Sequence, residues 1–157
     1  MDKVTPFLWF DGTAEQAATF YVSLFDDARI VSRTTIDSAG PNRDLTVQSL
    51  TFEIAGRRFH AFNGGPAMAF SPAISLMIDC ETQSEVDAIW ARMLDGGTPQ
   101  RCGWITDKFG VTWQVVPRGL REMLGDPDPA KAGRAMQAML GQTKLDIGAI
   151  RRAFEGN

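Results

Sequence analysis

One histidine and two cysteines are all that this chain offers of two side-chain types often used as metal ligands or nucleophiles. It contains no HExxH, no CxxC, no GxSxG elbow, no P-loop and no defensible separated Ser/His/Asp set, which disfavours covalent hydrolysis and nucleotide hydrolysis. It lacks a basic cluster: 16 Lys and Arg stand against 19 Asp and Glu, for a net charge of −3. The basic residues are scattered, and the pairs Arg57-Arg58 and Arg151-Arg152 read as solvated faces. Nucleic acid is therefore not an expected partner, because a phosphate-binding surface needs cations gathered on one face. Long apolar runs are also missing. The apolar part of MDKVTPFLWFDG is too short for a signal h-region or a membrane span, so a cytoplasmic protein with no membrane partner is expected. In that reducing compartment Cys80 and Cys102 are expected to be free thiols.

What is present suits a folded domain. The hydrophobic fraction is 44% and the charged fraction 22%, close to globular averages, and 157 residues suffice for one domain or two small fused modules. Val4 to Phe10 is an aromatic and β-branched run and reads as a strand closed by Asp11-Gly12. Thr13-Ala-Glu-Gln16 has the form of a capping box. Ala17, Phe20, Tyr21, Leu24 and Phe25 follow at helical spacing, which predicts a helix to about Phe25. Ala28 to Ile36 reads as a strand, Ser38 to Arg43 as a loop, and Leu45–Ile54 with Arg57–Asn63 as a hairpin around Ala55-Gly56. Asn63 to Pro66 reads as an exposed or rim linker.

The pattern then starts again. Ile74 to Cys80 is an apolar strand. Thr82-Gln-Ser-Glu85 is a second capping box, and Val86, Ile89, Trp90, Met93 and Leu94 give a second helix ended by Gly96-Gly97. A strand is expected around Gln100 to Trp104. The run CGWITDKFGVTWQVVP, Cys102 to Pro117, predicts a strand, a turn over Asp107–Gly110 and a second strand. Period two puts Cys102, Trp104 and Thr106 on one face of the first, and Thr112, Gln114 and Val116 on one face of the second. Thr13 to Phe25 superimposes on Thr82 to Leu94 at one offset, and Gly56, Phe59, His60 and Phe62 match Gly110, Trp113, Gln114 and Val116 at another. A βαβββ unit thus occurs twice, and pairing two units is a simple way to bury one face of each sheet. The expected organisation is a domain over residues 1–117, made of module one (1–66) and module two (67–117), and a helical extension over 118–157. In that extension Asp128-Pro129 opens a helix with the stripe Ala132, Met136, Met139 and Leu140, and Ile147, Ile150 and Phe154 form another.

Five strings in this order, TPFLWFDG, FNGGP, CETQSEVD, CGWITDKFGVTWQVVP and DPDPAKAGRAMQAML, give the chain a specific likeness. It resembles the PhnB-like family, often labelled 3-demethylubiquinone-9 3-methyltransferase, within the glyoxalase, bleomycin-resistance and extradiol dioxygenase (vicinal oxygen chelate) superfamily. The resemblance implies an α+β fold of paired βαβββ modules forming open half-barrel sheets, and a homodimer. In metal-dependent members, His, Gln or Glu from the first and last strands of each module hold a divalent ion. Those positions correspond here to Pro6, His60, Ala73 and Gln114. Two of the four have no ligand atom, so no catalytic metal is expected. The label implies S-adenosylmethionine, but Asn63-Gly64-Gly65-Pro66 is followed by no predicted helix and has no suitably placed acidic residue.

His60 matches Gln114 across the repeat. Either residue reads as a ligand-contacting group or as a satisfied polar residue on a strand; an unperturbed imidazole titrates near about 6.5. Cys102 reads as a nucleophile only if a neighbour lowers its pKa, and otherwise as an inert thiol. Trp9, Trp104, Trp113 and Phe62 suit an aromatic ligand by stacking and equally suit a core. His60 and Cys102 are thus the candidates for a chemical role. Trp9, His60, Phe62, Cys102, Trp104 and Gln114 are the candidate ligand contacts. The expected activity is binding of a small aromatic or polar molecule without a metal. The alternatives are a divalent-metal isomerase, lyase or oxygenase, and a methyltransferase.

Overall fold

A computed structural model describes residues 3–37 and 46–157; the loop expected over Ser38–Arg43 lies outside the described residues. The chain divides into two compact units, Met1–Phe70 and Ser71–Asn157. The first runs β1 (Phe7–Phe10), α1 (Ala14–Val22), β2 (Arg29–Asp37), β3 (Thr46–Ile54) and β4 (Arg57–Asn63). Its sheet has the order β1-β4-β3-β2, with β1 parallel to β4 and the other neighbours antiparallel. Alternation decides which side of the sheet is buried. Leu8, Phe10, Leu50, Phe52, Phe59 and Ala61 turn to one face and bury there, together with Ala14, Ala17, Ala18 and Tyr21 of α1. The three helix alanines let α1 lie close to the sheet. Tyr21 meets Phe52 at 6.1 Å between ring centroids, and Phe52 stacks on Phe59 at 5.3 Å. Burying a side chain such as Phe52 stabilises by roughly 2–3 kcal/mol.

Two local expectations in this unit need correcting. Thr13 makes no side-chain capping bond; the amide of Ala14 donates instead to Asn63 Oδ1 at 2.8 Å. The cap comes from the end of β4, 49 residues away, because the parallel pairing of β1 and β4 brings Asn63 beside Phe10. The helix also stops at Val22, short of Phe25. Ser23 ends it, with its hydroxyl donating to the Phe20 carbonyl at 2.6 Å and its amide shared between the Thr19 and Phe20 carbonyls.

The second unit repeats the order: β5 (Leu76–Cys80), α2 (Gln83–Met93), β6 (Thr98–Pro99), β7 (Trp104–Thr106) and β8 (Thr112–Pro117), with sheet order β5-β8-β7-β6. The repeated βαβββ unit is therefore real at the level of topology. Ile78, Cys80, Ile105, Trp113 and Val115 are buried in the core with Val86, Ile89, Trp90 and Met93 of α2. The second capping box forms: Glu85 N donates to Thr82 Oγ1 at 3.1 Å, and the Glu85 carboxylate accepts from Glu81 N at 2.7 Å.

Here too the structure corrects the sequence. The strand begins at Leu76, not Ile74, which is 80% exposed. Ser71 accepts from the amides of Ala73 and Ile74 and closes a turn there, so Ala73 precedes the strand. Only Thr98–Pro99 pairs as β6, in place of the strand expected around Gln100–Trp104. Cys102 is not in a strand. Its φ is +61°, and its amide and that of Gly103 donate to the carbonyls of Gln142 and Thr143, both at 2.8 Å. Cys102 therefore does not share a strand face with Trp104 and Thr106.

After β8 come α3 (Leu120–Leu124), α4 (Pro129–Leu140) and α5 (Ile147–Glu155). They pack within the second unit through Val116, Leu120, Met123, Ala135, Leu145 and Ile150. Asp128 caps α4 with Pro129 in its first turn, as its sequence implies, and Asp146 caps α5. Gln83 joins the N-terminus of α2 to the start of α5: it donates to Leu145 O at 2.9 Å and accepts from Ile147 N at 3.0 Å. Among the described residues no helix is long and apolar enough to cross a membrane.

Candidate functional site

Each sheet carries its helix on one face, and the side chains of the other face are built by the same alternation. In the first unit the parallel register sets Phe7 beside His60 and Trp9 beside Phe62. The antiparallel register adds Thr51 beside His60 and Ser49 beside Phe62. The result is a graded surface. Phe7, 57% exposed, and Trp9 and Phe62, both partly exposed, form an aromatic row with centroid separations of 5.6 Å (Phe7–Phe62) and 5.0 Å (Trp9–Phe62). His60 lies next in the strand, 6.2 Å from the Phe7 ring, with Nδ1 sharing a hydrogen bond with Thr51 Oγ1 at 3.0 Å. Beyond it, Glu53 is clamped by Arg58 at 2.8 Å and Arg29 at 2.7 Å. The Arg58 hydrogen bond first, and then the charge of Arg29, hold the Glu53 carboxyl below the usual carboxylate range against an opposing desolvation penalty.

Trp9 is fixed rather than loosely exposed. Its Nε1 donates to Gly65 O at 2.9 Å. Its six-membered ring occupies the space where a side chain on residue 64 would stand, so Gly64 is required by close approach. The FNGGP string is thus no simple linker. Phe62 is in the aromatic row, Asn63 caps α1, and Gly64 and Gly65 seat the indole of TPFLWFDG.

In the second unit Gln114 sits opposite Met77 in β5 and Trp104 in β7. Its side-chain amide donates to Ser75 Oγ at 2.8 Å, and Trp104 is partly exposed. Arg121 reaches Met77 Sδ at 3.0 Å and Asp79 at 3.7 Å. Trp9, His60 and Phe62 therefore come together on one sheet of the first unit. Trp104 and Gln114 come together on one sheet of the second, with Cys102 in the turn before β7. Sequence reasoning misses Phe7, Thr51, Ser75 and Met77. Phe7 is legible at period two from Trp9. The other three depend on strand register, which a single sequence does not show.

The cysteines differ sharply. Cys80 is fully buried, and burial, helped by the charges of Glu85 and Asp79, pushes its thiol from 9.0 to about 12. Cys102 is partly exposed. A thiol reagent such as Ellman's is expected to label Cys102 in the folded protein and Cys80 only on unfolding. The raised pKa favours the neutral thiol in the fold, so its contribution is intact below about pH 9 and is lost as pH rises to about 12. Urea titrations across that window should show Cys80→Ala losing stability less steeply than wild type, by up to about 1.4 kcal/mol per pH unit. Equal slopes, or rapid labelling of both thiols, would contradict this.

Of the four positions that correspond to the metal-dependent pattern, Pro6 and Ala73 carry no side-chain ligand atom. Pro6 precedes β1 and uses its carbonyl to accept from His60 N at 2.9 Å. Ala73 lies in the turn before β5, and the residue beside Gln114 is Met77. Among the described residues no group of three or more His, Cys, Asp and Glu is placed to hold a metal. S-adenosylmethionine does not fit a nucleotide-type turn here either. Trp9 packs on Gly64 and donates to the Gly65 carbonyl, and no helix follows these two residues.

Comparisons with known proteins agree with this architecture. A family model described as 3-demethylubiquinone-9 3-methyltransferase matches residues 2–116. A PhnB protein from Bacillus cereus is 34% identical, with a TM-score of 0.67, over 74% of this chain and 99% of that one. A Pseudomonas aeruginosa protein is 18% identical, with a TM-score of 0.58, over 74% and 98% of the two chains. The fosfomycin resistance protein FosX from Listeria monocytogenes, in a complex with Mn(II) and dihydroxypropylphosphonic acid, is 15% identical, with a TM-score of 0.56, over 79% and 99%. Among functionally curated proteins none matches the chain.

Proposed function

The chain belongs to the 3-demethylubiquinone-9 3-methyltransferase family, the PhnB-like branch of the vicinal oxygen chelate superfamily, and from that premise we propose that it is a cytoplasmic, homodimeric protein that binds a small organic molecule without a catalytic metal. One observation carries the reading: the aromatic row of Phe7, Trp9 and Phe62 lies beside the hydrogen-bonded His60–Thr51 pair on the helix-free face of the first sheet. Rings supply contact area at low conformational entropy cost, and the imidazole supplies a directional polar contact. The donor chemistry supports the metal-independent part. His60 has aromatic and hydroxyl neighbours instead of carboxylates, and Gln114 is engaged by Ser75. FosX shares the fold, and its manganese is a property of that protein.

Native mass spectrometry of untagged protein purified without chelator tests this. The expected result is a metal-free dimer that retains, or takes up from an extract of soluble metabolites, an organic molecule of defined mass. Chelator should leave that binding unchanged, and His60→Ala should weaken it about 10-fold, the worth of one hydrogen bond. One tightly held divalent ion per subunit would overturn the reading and point to a metal-dependent enzyme. Saturable binding of S-adenosylmethionine would favour the methyl-transfer description instead.

A further inference from the structure

Resting on that binding reading and narrowing it, we propose that Trp9 is a prefixed stacking platform, held by the Gly64–Gly65 turn, and that the ligand is a planar aromatic compound whose hydroxyl or carbonyl group reaches the His60–Thr51 pair. The indole is held at two points: Nε1 donates to Gly65 O at 2.9 Å, and the six-membered ring fills the place of a side chain at Gly64. A tryptophan fixed in this way loses little rotamer freedom when a ring packs on it, which favours binding. The buried positions of β1 are Leu8 and Phe10, and Trp9 turns to the opposite, partly exposed face. Phe62 meets the indole at 56° and Phe7 meets Phe62 at 45°, so the three rings form an angled trough rather than a flat stack.

Geometry then places the polar contact. His60 lies two residues from Phe62 along β4, about 7 Å at strand rise, which is the reach of a substituent on a one- or two-ring body. Its Nδ1 is shared with Thr51 Oγ1, so among the described residues Nε2 is the ring nitrogen open to a ligand. If Thr51 donates to Nδ1, Nε2 carries the proton and donates to a carbonyl. In the other tautomer Nε2 accepts from a hydroxyl. Thr51 and Ser49 of β3 flank His60 and Phe62 on the side of β4 opposite β1.

The test is a set of matched probes: 2-naphthol against 2-decalol, benzoate against cyclohexanecarboxylate, and coumarin against octahydrocoumarin. Each is titrated by calorimetry into the intact chain and into Trp9→Leu, Trp9→Phe, Gly64→Ala and Phe62→Leu, with folding checked by circular dichroism. At least one aromatic member should bind, and its saturated counterpart should bind about 10-fold more weakly or not at all. Trp9→Leu and Gly64→Ala should each lose about 10-fold, the second because the indole is displaced, and Trp9→Phe should keep part of the affinity. If Trp9→Leu does not fold, Phe62→Leu removes the other wall of the trough and should also weaken binding. Equal binding of aromatic and saturated partners, or affinities unchanged in both Trp9→Leu and Phe62→Leu, would overturn the platform and leave the binding-protein reading intact. Failure of every probe, while native mass spectrometry shows a non-aromatic adduct, would overturn the ligand class alone. Failure of every probe with no adduct would overturn both.

Discussion

Replacing Asp107 by alanine should lower the stability of the second unit by about 3–5 kcal/mol, measured as a shift in the urea unfolding free energy. Asp107 is only 4% exposed, and its carboxylate organises the β7–β8 hairpin. Oδ1 accepts from Phe109 N at 2.8 Å and Val111 N at 3.0 Å, while Oδ2 accepts from the buried Trp113 Nε1 at 2.8 Å. The first two bonds form a turn in which the side chain takes the place of a backbone acceptor. The third ties that turn to the largest fully buried side chain among the described residues. Alanine would remove one acceptor from all three donors at once, and each buried donor left unsatisfied costs about 1–3 kcal/mol. An asparagine in place of the acid keeps one acceptor oxygen but points an N–H at another donor, so Asp107→Asn should cost roughly half as much. A loss below about 1 kcal/mol in Asp107→Ala would show that the hairpin is held by strand pairing alone.

Gly103→Ala should be nearly as damaging, at about 2–4 kcal/mol, by the same measurement. Its φ is +78°, and a Cβ there would stand 2.7 Å from Val115 O and 2.9 Å from Leu145 Cδ1. The same residue bridges two elements: its amide donates to Thr143 O and its carbonyl accepts from Val115 N, both at 2.8 Å. Moving it aside would loosen both β8 and the segment between α4 and α5. The neighbouring Cys102 is the internal control. It already holds φ +61° as a non-glycine residue, so Cys102→Gly relieves local strain while adding freedom to the unfolded chain. The net change should stay within about 1 kcal/mol. Similar losses in the two variants would mean that the turn itself, not the crowding at Gly103, sets the cost.

These two positions mark where the sequence stops being sufficient. The Asp107–Gly110 turn was legible because its chemistry is local: an acid, two intervening residues and a glycine, here at φ +89°. The repeated βαβββ order was legible for the same reason. Hydrophobic period, capping residues and turn glycines act over a few residues, and two copies of the pattern reinforce one another. The family was legible because its strings are long and ordered. Cys102 was misplaced because period two runs on smoothly through Trp104 and Thr106. What bends the chain there is a pair of carbonyls at Gln142 and Thr143, in a distant part of the sequence. The first helix cap failed in the same manner. Thr13 and Gln16 have the right spacing, but Asn63 arrives through a parallel strand pair and takes the amide of Ala14.

The candidate site divides along that line. His60, Trp9 and Phe62 could be named from residue type and alternation. Their assembly into one row, with Phe7 and Thr51, was decided by the register of β1 against β4 and of β4 against β3. Register is set by which apolar faces bury together, and one residue of slip would turn every one of these side chains to the other side of the sheet. By itself the sequence determined most of the elements, their order, the repeat and the family, because those follow from local propensity and pattern. Only the tertiary structure decided which side chains meet, that Gly64 and Gly65 seat Trp9, and that the C-terminal helices pack within the second unit, because those are non-local contacts between segments far apart in the chain.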